Sequence, residues 1–476
     1  MSEIIHFETL GCKLNQVESE GAASAFKNAG FEISMSPFSA ATAENLSVKL
    51  CVVNTCTVTA KAEQKARRII RLLLTKCPES AVLVTGCYAQ NSRDEILAIG
   101  KKICVLGGQY KGHLADVPEI LKQNPQLYGE ELAAFIQKRF ETIYKTAGKN
   151  QIQEPFRLVP DDFAHHSRSS LKIQDGCNCV CTYCAIRLAR GKSVSLDAEE
   201  AIRRVQKLEE KGQNEVVITT VNISQYHGRY KDGFVNFAGL LRLFLQNTKS
   251  IRFRISSLYP EIVDEELAQI ISDSRVCPHF HLSVQSGSDS VLARMKRPYK
   301  IEAVYKACAL LKKAKKNPFL ACDIIAGFPG EADEDFELTL KMLSDCGFAF
   351  VHAFPFSARP NTEAFSMRPM VPNSVAGKRI EALEAFNNKS KSEYIASFEG
   401  QVLEAVCETV HRPKIFADRI VVHAVTSNFL HCKLVFGTNE KLPEPGSLIK
   451  VKILRPLSKN EISGESDTLA VLEENS

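Results

Sequence analysis

Six short apolar runs between residues 170 and 357 constrain this chain more than any other feature. "SLKI", "VVITTV", "RFRISS", "HFHLSV", "FLACDIIAG" and "FAFVHAFPFS" read as strands, and each of the first five is followed by a stretch with helical periodicity. Strands that alternate with helices imply parallel pairing, because each helix carries the chain back to start the next strand in the same direction. Six such units predict a partial barrel, open where an eight-unit barrel would close. In barrels of this kind the chemistry sits at the carboxyl ends of the strands.

The first 125 residues carry the same alternation. "IIHFETLG" reads as a strand before a helix over 14–29, "KLCVVNT" before one from Val58 to Lys76, and "AVLVTG" before one over 90–99; "KICVLGG" is a further strand. They predict a parallel α/β sheet. Residues 126–168 break the rhythm with an isolated amphipathic helix, "GEELAAFIQKRFETIYKTAG", and a linker, "QEPFRLVPDDFAHHSRSS". After residue 396, "GQVLEAVCETV", "DRIVVHAV", "FLHCKLVFG" and "SLIKVKILRPL" are short strands separated by Gly, Pro and Asn, which predicts a small antiparallel β-barrel. The expected organisation is an α/β domain over 1–125, an insertion and linker over 126–168, the partial barrel over 169–396, the small barrel over 397–465 and a tail over 466–476.

No apolar run approaches the roughly 20 residues of a membrane-spanning helix. The N-terminus has no basic stretch followed by a long apolar one, so a cytoplasmic chain without membrane contact is expected. There the sixteen cysteines are expected to stay reduced. Closely spaced ones read as metal or cluster ligands, and those inside apolar runs, such as Cys308, Cys322 and Cys432, as small core residues. Sixty basic against 55 acidic residues give a net charge of +5, which is compatible with nucleic-acid binding without arguing for it.

Cys12, Cys56 and Cys87 share a setting. In "FETLGCKLNQ", "VVNTCTVTAK" and "LVTGCYAQN" each directly follows a predicted strand and precedes a helix. Such junctions lie along the carboxyl edge of a parallel sheet, so the three can converge, and helix N-termini beside them favour thiolates. Three thiolates without a fourth suit an iron–sulfur cluster with one open iron, or a catalytic zinc with an open position. The loop "DGCNCVCTYCAIRLARG" holds four more: Cys177, Cys179, Cys181 and Cys184. All four around one zinc is one reading, although Cys-x-Cys-x-Cys in an extended chain points alternate side chains to opposite sides. The other is Cys177-x3-Cys181-x2-Cys184, with Cys179 left out.

The second spacing, with Tyr183 before the third cysteine and on the loop after the first barrel strand, resembles the radical S-adenosylmethionine superfamily. "TLGCKLNQVESE", "VVNTCTVTAKAEQKARR", "TGCYAQ", "KIQDGCNCVCTYC", "LSVQSGSDSVLARMKRPY" and "DIIAGFPGE" resemble the methylthiotransferases within it, and the C-terminal barrel resembles a TRAM domain. The N-terminal motifs resemble the branch acting on N6-threonylcarbamoyladenosine-37 of tRNA more than those acting on isopentenyladenosine-37 or on a ribosomal protein. The resemblance implies a transferase with two 4Fe-4S clusters, one on Cys177, Cys181 and Cys184 and one on Cys12, Cys56 and Cys87. The first would leave an iron for S-adenosylmethionine and cleave it reductively to a 5′-deoxyadenosyl radical. The second would provide or carry the sulfur, and a second S-adenosylmethionine would donate the methyl group. tRNA, a low-potential electron donor and a sulfur source are the implied partners. A reading from a different class is a non-catalytic, zinc-containing RNA-binding protein of the same fold.

Other residues carry weaker signals. Gln285 and Ser286, after the fourth barrel strand, are expected to face the cofactor with Tyr183, with turn chemistry as the alternative. Gly327 and Gly330 fit a tight turn after the fifth strand, and Arg254 points either into the barrel or to solvent. RNA contacts are expected from Arg187 and Arg190, with Lys192, just past the cluster loop, and from Lys450, Lys452 and Arg455 on the C-terminal barrel. Lys61, Lys65 and Arg68, and Lys296, Arg297 and Lys300, are two further basic groups. Val180, Arg187, Leu188 and Val221 depart from the residues usual in the family, and none of these changes removes a ligand.

Overall fold

The computed structural model describes residues 3–146, 152–160, 168–411, 419–458, 460–461 and 466–473. Strands β1 (Ile4–Thr9), β2 (Glu32–Ser34), β3 (Val48–Thr55), β4 (Ala81–Gly86) and β5 (Ile103–Gly107) form one parallel sheet in the order β2-β1-β3-β4-β5. Every residue of β3 and β4 is buried, so these strands read as continuous apolar runs rather than alternations. The edge strand β2 went unread because three half-exposed residues carry no period. Helices α1 (Lys13–Asn28) and α2 (Ala60–Lys76) follow β1 and β3. The start of α2 is set by Thr59, whose hydroxyl accepts the Ala62 N–H at 3.2 Å. The helix expected over 90–99 is instead α3 (Cys87–Asn91), which begins where β4 ends, followed by a short helix over Arg93–Leu97.

Helix α4 (Gly129–Thr146), expected to be isolated, belongs to the N-terminal layer. Its Leu132, Ala133, Ile136 and Phe140 are buried in one core with Ile5, Leu50 and Leu83. It also covers the sheet edge: the Val105 N–H donates to Gln137 Oε1 at 2.8 Å and the Gly107 N–H to the Tyr144 hydroxyl at 2.9 Å. An amphipathic face shows that something is covered, without showing what.

Six parallel strands follow side by side in chain order: β6 (Ser169–Lys172), β7 (Glu215–Thr219), β8 (Arg252–Ile255), β9 (His279–Gln285), β10 (Phe319–Ala326) and β11 (Phe350–Pro355). Strand β8 pairs with β7, and its continuation Ser257–Leu258 pairs with β9. Among the described residues β6 and β11 each pair with one barrel strand only, so the barrel is open as expected. Outward residues such as Phe280, Leu282, Cys322 and Val351 pack under the helices. The alternate residues, among them His279, His281, Asp323 and His352, face the lumen. Among the described residues no helix is long and apolar enough to cross a membrane.

The C-terminal strands β12 (Val402–His411), β13 (Arg419–Thr426), β14 (His431–Gly437), β15 (Leu448–Pro456) and β16 (Thr468–Leu472) close a barrel in the order β12-β13-β14-β16-β15. Strand β16 corrects the expected tail. "TLAVL" is too short to announce a strand, but it pairs with both β14 and β15 and removes the open edge. Arg254 docks this barrel. It is 2% exposed, pairs with Glu215 at 2.7 Å and donates to the Thr426 and Ser427 carbonyls at 3.1 Å. His279 stacks on Phe429 with ring centroids 3.9 Å apart. These contacts lie at the amino ends of the strands, so the C-terminal barrel closes the floor of the lumen.

Candidate functional site

The N-terminal triad is gathered by the sheet. Cys12 caps α1, Cys56 ends the turn out of β3, and Cys87 opens α3. Cys12 is exposed; Cys56 and Cys87 are buried. Two glycines allow the approach. A Cβ on Gly11 (φ +100°) would lie 2.9 Å from Cys56 Sγ, and one on Gly86 (φ +99°) 2.2 Å from the Thr55 carbonyl oxygen. The nearby helix N-termini do not make Cys56 and Cys87 acidic: burial pushes Cys56 up to about 11 and also raises Cys87.

The second group sits on the loop between β6 and α5 (Ile186–Arg190). The extended-chain argument that Cys179 points away from its neighbours fails, because the loop bends. Cys179 lies within hydrogen-bond reach of both Cys177 and Cys181, which is the first cause of both those thiols falling to about 6. Arg297 donates to Cys181 Sγ at 3.5 Å and assists the second. Burial pushes Cys184 up to about 12. Cys179 has amide donors of its own, Gln225 Nε2 at 3.1 Å and Asn222 Nδ2 at 3.4 Å. Asparagine can occupy that amide-lined place, so Cys179→Asn is expected to retain the wild-type iron content; iron loss in that variant would restore the four-ligand reading.

One cavity of about 420 Å³ at the carboxyl ends of the barrel strands is reached by both groups, by the N-terminal one through Cys12 alone. Cys12 lines it from one side, and Cys177, Cys179, Cys181 and Cys184 from the other. Tyr183 and Gln285 line it too. Gln285 is held at φ +74°, a left-handed conformation that a non-glycine residue keeps only when its surroundings enforce it. Ser286 corrects an expectation: it is buried outside the lining, and its hydroxyl accepts the Ser288 N–H at 3.2 Å, so it does turn chemistry. Val221 lies at the wall, and Gly327 and Gly330 shape the turn after β10.

The residues fit iron–sulfur clusters and a polar cofactor. Each triad offers three thiols, and the buried hydroxyl of Thr220, in the cavity wall, has no hydrogen-bond partner among the described residues. Among the described residues no three Cys, His, Asp or Glu side chains converge as one ion would require. A 4Fe-4S cluster makes a different demand, one thiolate per iron around a larger body.

Three arginines have roles that their sequence neighbours do not show. Arg190, expected to contact RNA, is 4% exposed. It pairs with Glu18 at 3.0 Å and Asp175 at 2.9 Å and donates to Asn15 Oδ1 at 2.8 Å. Lys111 and Lys172 reach the same Glu18 at 2.5 and 2.7 Å, so α1, α5 and β6 meet in one buried ion network. Arg297, grouped above with exposed lysines, is buried, with its guanidinium 4.5 and 5.0 Å from the Tyr259 and Tyr299 ring centroids. Arg359, which the sequence did not single out, crosses from the loop after β11 to donate to Thr57 Oγ1 at 3.0 Å and pairs with Glu63, beside Cys56.

The other basic candidates are exposed. Arg187 stands at the cavity rim with exposed Val180 and Leu188, and Lys61, Lys65, Arg68, Lys192, Lys296 and Lys300 also face solvent. Lys450, Lys452 and Arg455 are exposed along β15, and Arg455 pairs with Glu461 at 2.6 Å.

Residues 171–343 match the Radical SAM superfamily, and residues 4–108 match the family described as Uncharacterized protein family UPF0004. The threonylcarbamoyladenosine tRNA methylthiotransferase MtaB of Treponema pallidum (strain Nichols) is 41% identical over 473 residues, covering 90% of this chain and 94% of that protein. The protein of the same name from Bacillus subtilis (strain 168) is 35% identical, covering 95% and 94%. The solved structure of the radical S-adenosylmethionine methyltransferase TsrM from Kitasatospora setae, with cobalamin and a 4Fe-4S cluster bound, superposes with a TM-score of 0.52 over 76% of this chain and 77% of that one. At 13% identity that likeness concerns the fold alone.

Proposed function

The chain belongs to the radical S-adenosylmethionine tRNA methylthiotransferases, and from that premise we propose that it converts N6-threonylcarbamoyladenosine-37 of tRNA to the 2-methylthio derivative, with two 4Fe-4S clusters and two molecules of S-adenosylmethionine. The observation that carries this reading is that Cys12 of one group and all the cysteines of the other line one cavity, so that activation of a substrate atom and delivery of sulfur to it can share one space. Cys177, Cys181 and Cys184 would hold one cluster, and Cys12, Cys56 and Cys87 the other. Bound there with S-adenosylmethionine, the clusters supply the radical chemistry and the sulfur that an unactivated adenine C2–H bond requires.

The chain itself positions and shields. Tyr183, Gln285 and Thr220 offer polar contacts to a cofactor along the strand ends, and Arg297 places a fixed positive charge beside Cys181. Val58, Ile325 and Phe356 supply apolar wall that keeps water from a reactive centre. Arg359 and the Arg190 network hold the two cysteine-bearing domains together. The choice of adenosine draws support from the N-terminal motifs and from the names of the relatives. A low-potential electron donor and a sulfur source complete the reaction.

Arg187 at the rim and Lys450, Lys452 and Arg455 on the C-terminal barrel are the proposed tRNA contacts. Removing one cation from a phosphate should lower the slope of log K against log salt by about 1, so Lys450→Ala with Lys452→Ala is expected to lower it by about 2 and to weaken tRNA binding. An unchanged slope in a filter-binding salt titration would remove this pair from the interface. The reaction itself is tested by mass spectrometry of tRNA nucleosides from cells lacking the gene. Loss of 2-methylthio-N6-threonylcarbamoyladenosine is expected; an undiminished level, with a change in another modified target, would overturn the reading.

A further inference from the structure

One layer below the cavity's upper wall, three polar side chains meet across neighbouring strands. His281 on β9 and Asp323 on β10 pair at 3.0 Å, Nε2 to Oδ2. His352 on β11 is the register partner of Asp323, and its ring centroid lies 5.0 Å from that of His281. All three alternate with core residues packed under the helices, so they face the lumen. Asp323 lines the cavity itself.

We propose that His281, Asp323 and His352 form the subsite for the N6 substituent of the substrate adenosine, and that they select a polar substituent bearing hydroxyl and N–H donors over an apolar one. This rests on the tRNA-adenosine reading above.

Three observations favour a recognition role over internal packing. The group is reachable: the His281 and Asp323 side chains are 16% and 27% exposed, and β11 is the strand at the barrel's open side. It has capacity to spare: among the described residues the ring nitrogens of His352 have no hydrogen-bond partner and the residue is exposed, so a neutral ring there can both donate and accept. It also has a floor, because the layer beneath is closed by the stack of His279 on Phe429. A substituent entering here strips water from a carboxylate and two imidazoles. A polar tail replaces those hydrogen bonds, whereas an alkenyl tail leaves them unmade.

The test uses the full chain with both clusters reconstituted anaerobically and two anticodon stem-loop RNAs, one carrying N6-threonylcarbamoyladenosine and one carrying N6-isopentenyladenosine. Binding is read by fluorescence anisotropy, with iron content checked for each variant. Sites built to hydrogen-bond a substrate discriminate strongly against analogues that lack the group, so the wild type should prefer the first RNA by about tenfold or more. His352→Phe and Asp323→Asn should each cut that preference to about threefold or less, and His352→Gln, which keeps a donor and an acceptor, should recover most of it. If the wild type has the preference and both His352→Phe and Asp323→Asn keep it, this subsite is wrong while the substrate reading stands. If the wild type prefers the isopentenyl RNA, the substrate reading and this inference fall together.

Discussion

Cys181→Ala is expected to abolish 5′-deoxyadenosine formation, and Cys56→Ala to spare part of it while losing methylthiolation. The difference follows from where the two thiols stand. Cys181 lies on the barrel loop, its sulfur 3.5 Å from Arg297 and its acidity raised by Cys179 and Arg297, so removing it takes a ligand from the proposed cofactor-cleaving cluster. Cys56 lies across the cavity on the N-terminal sheet, against Gly11 and in the field of Cys12 and Cys87. Losing residues that merely support a metal ligand costs about 10–100-fold, so loss of a ligand itself should exceed about 100-fold in the step it serves. Chromatographic assay of 5′-deoxyadenosine and of modified nucleoside in one reaction separates the two effects. Normal methylthiolation by either variant would refute the role given to that cysteine.

Glu18→Ala is expected to destabilise the junction between the N-terminal sheet and the barrel by about 3–5 kcal/mol, because it strands buried cations. Glu18 holds Arg190, Lys111 and Lys172 at 2.5–3.0 Å inside the protein. Burial alone would raise its carboxyl. The three cations outweigh burial and hold it well below the usual carboxylate range, and Arg190 and Lys172 lower Asp175 as well. A depressed folded-state value gives stability that is present in full above the unfolded carboxylate pKa, about 4, and is lost as pH falls through the lower folded-state value. The wild type should therefore exceed the variant most near neutrality, with the gap narrowing only below about pH 4. Urea midpoints measured across that range check both the size and the sign, and a gap that widened on acidification would contradict the network's charge assignment. Lys111→Met added to Glu18→Ala should recover part of the loss, since it removes one of the stranded charges.

The strands of the central barrel were legible because each buries one apolar face under helices, leaving compact β-branched runs at regular spacing. Strands β2 and β16 were not, because three and five residues carry too little pattern. The gathering of Cys12, Cys56 and Cys87 was legible from position, because the ends of neighbouring parallel strands lie along one edge of the sheet. The arginines divide more instructively. Arg190 and Arg297 stand in basic runs, and a run of cations looks the same whether it meets solvent or a buried partner. Their partners, Glu18 for one and the Tyr259 and Tyr299 rings for the other, come from distant parts of the chain that only the folded topology brings close. The direction of Cys179 was not legible for a related reason: alternation holds for an extended chain, and this loop turns.

Two three-cysteine groups, each proposed to hold a cluster, share one reaction space. Metal and sulfide analysis of the full chain, purified and reconstituted without oxygen, tests that proposal most directly. Two 4Fe-4S clusters predict about eight irons with matching sulfide and charge-transfer absorbance in the wild type, and about four in Cys181→Ala and in Cys56→Ala. Stoichiometric zinc without iron in an iron-supplied anaerobic preparation would contradict it.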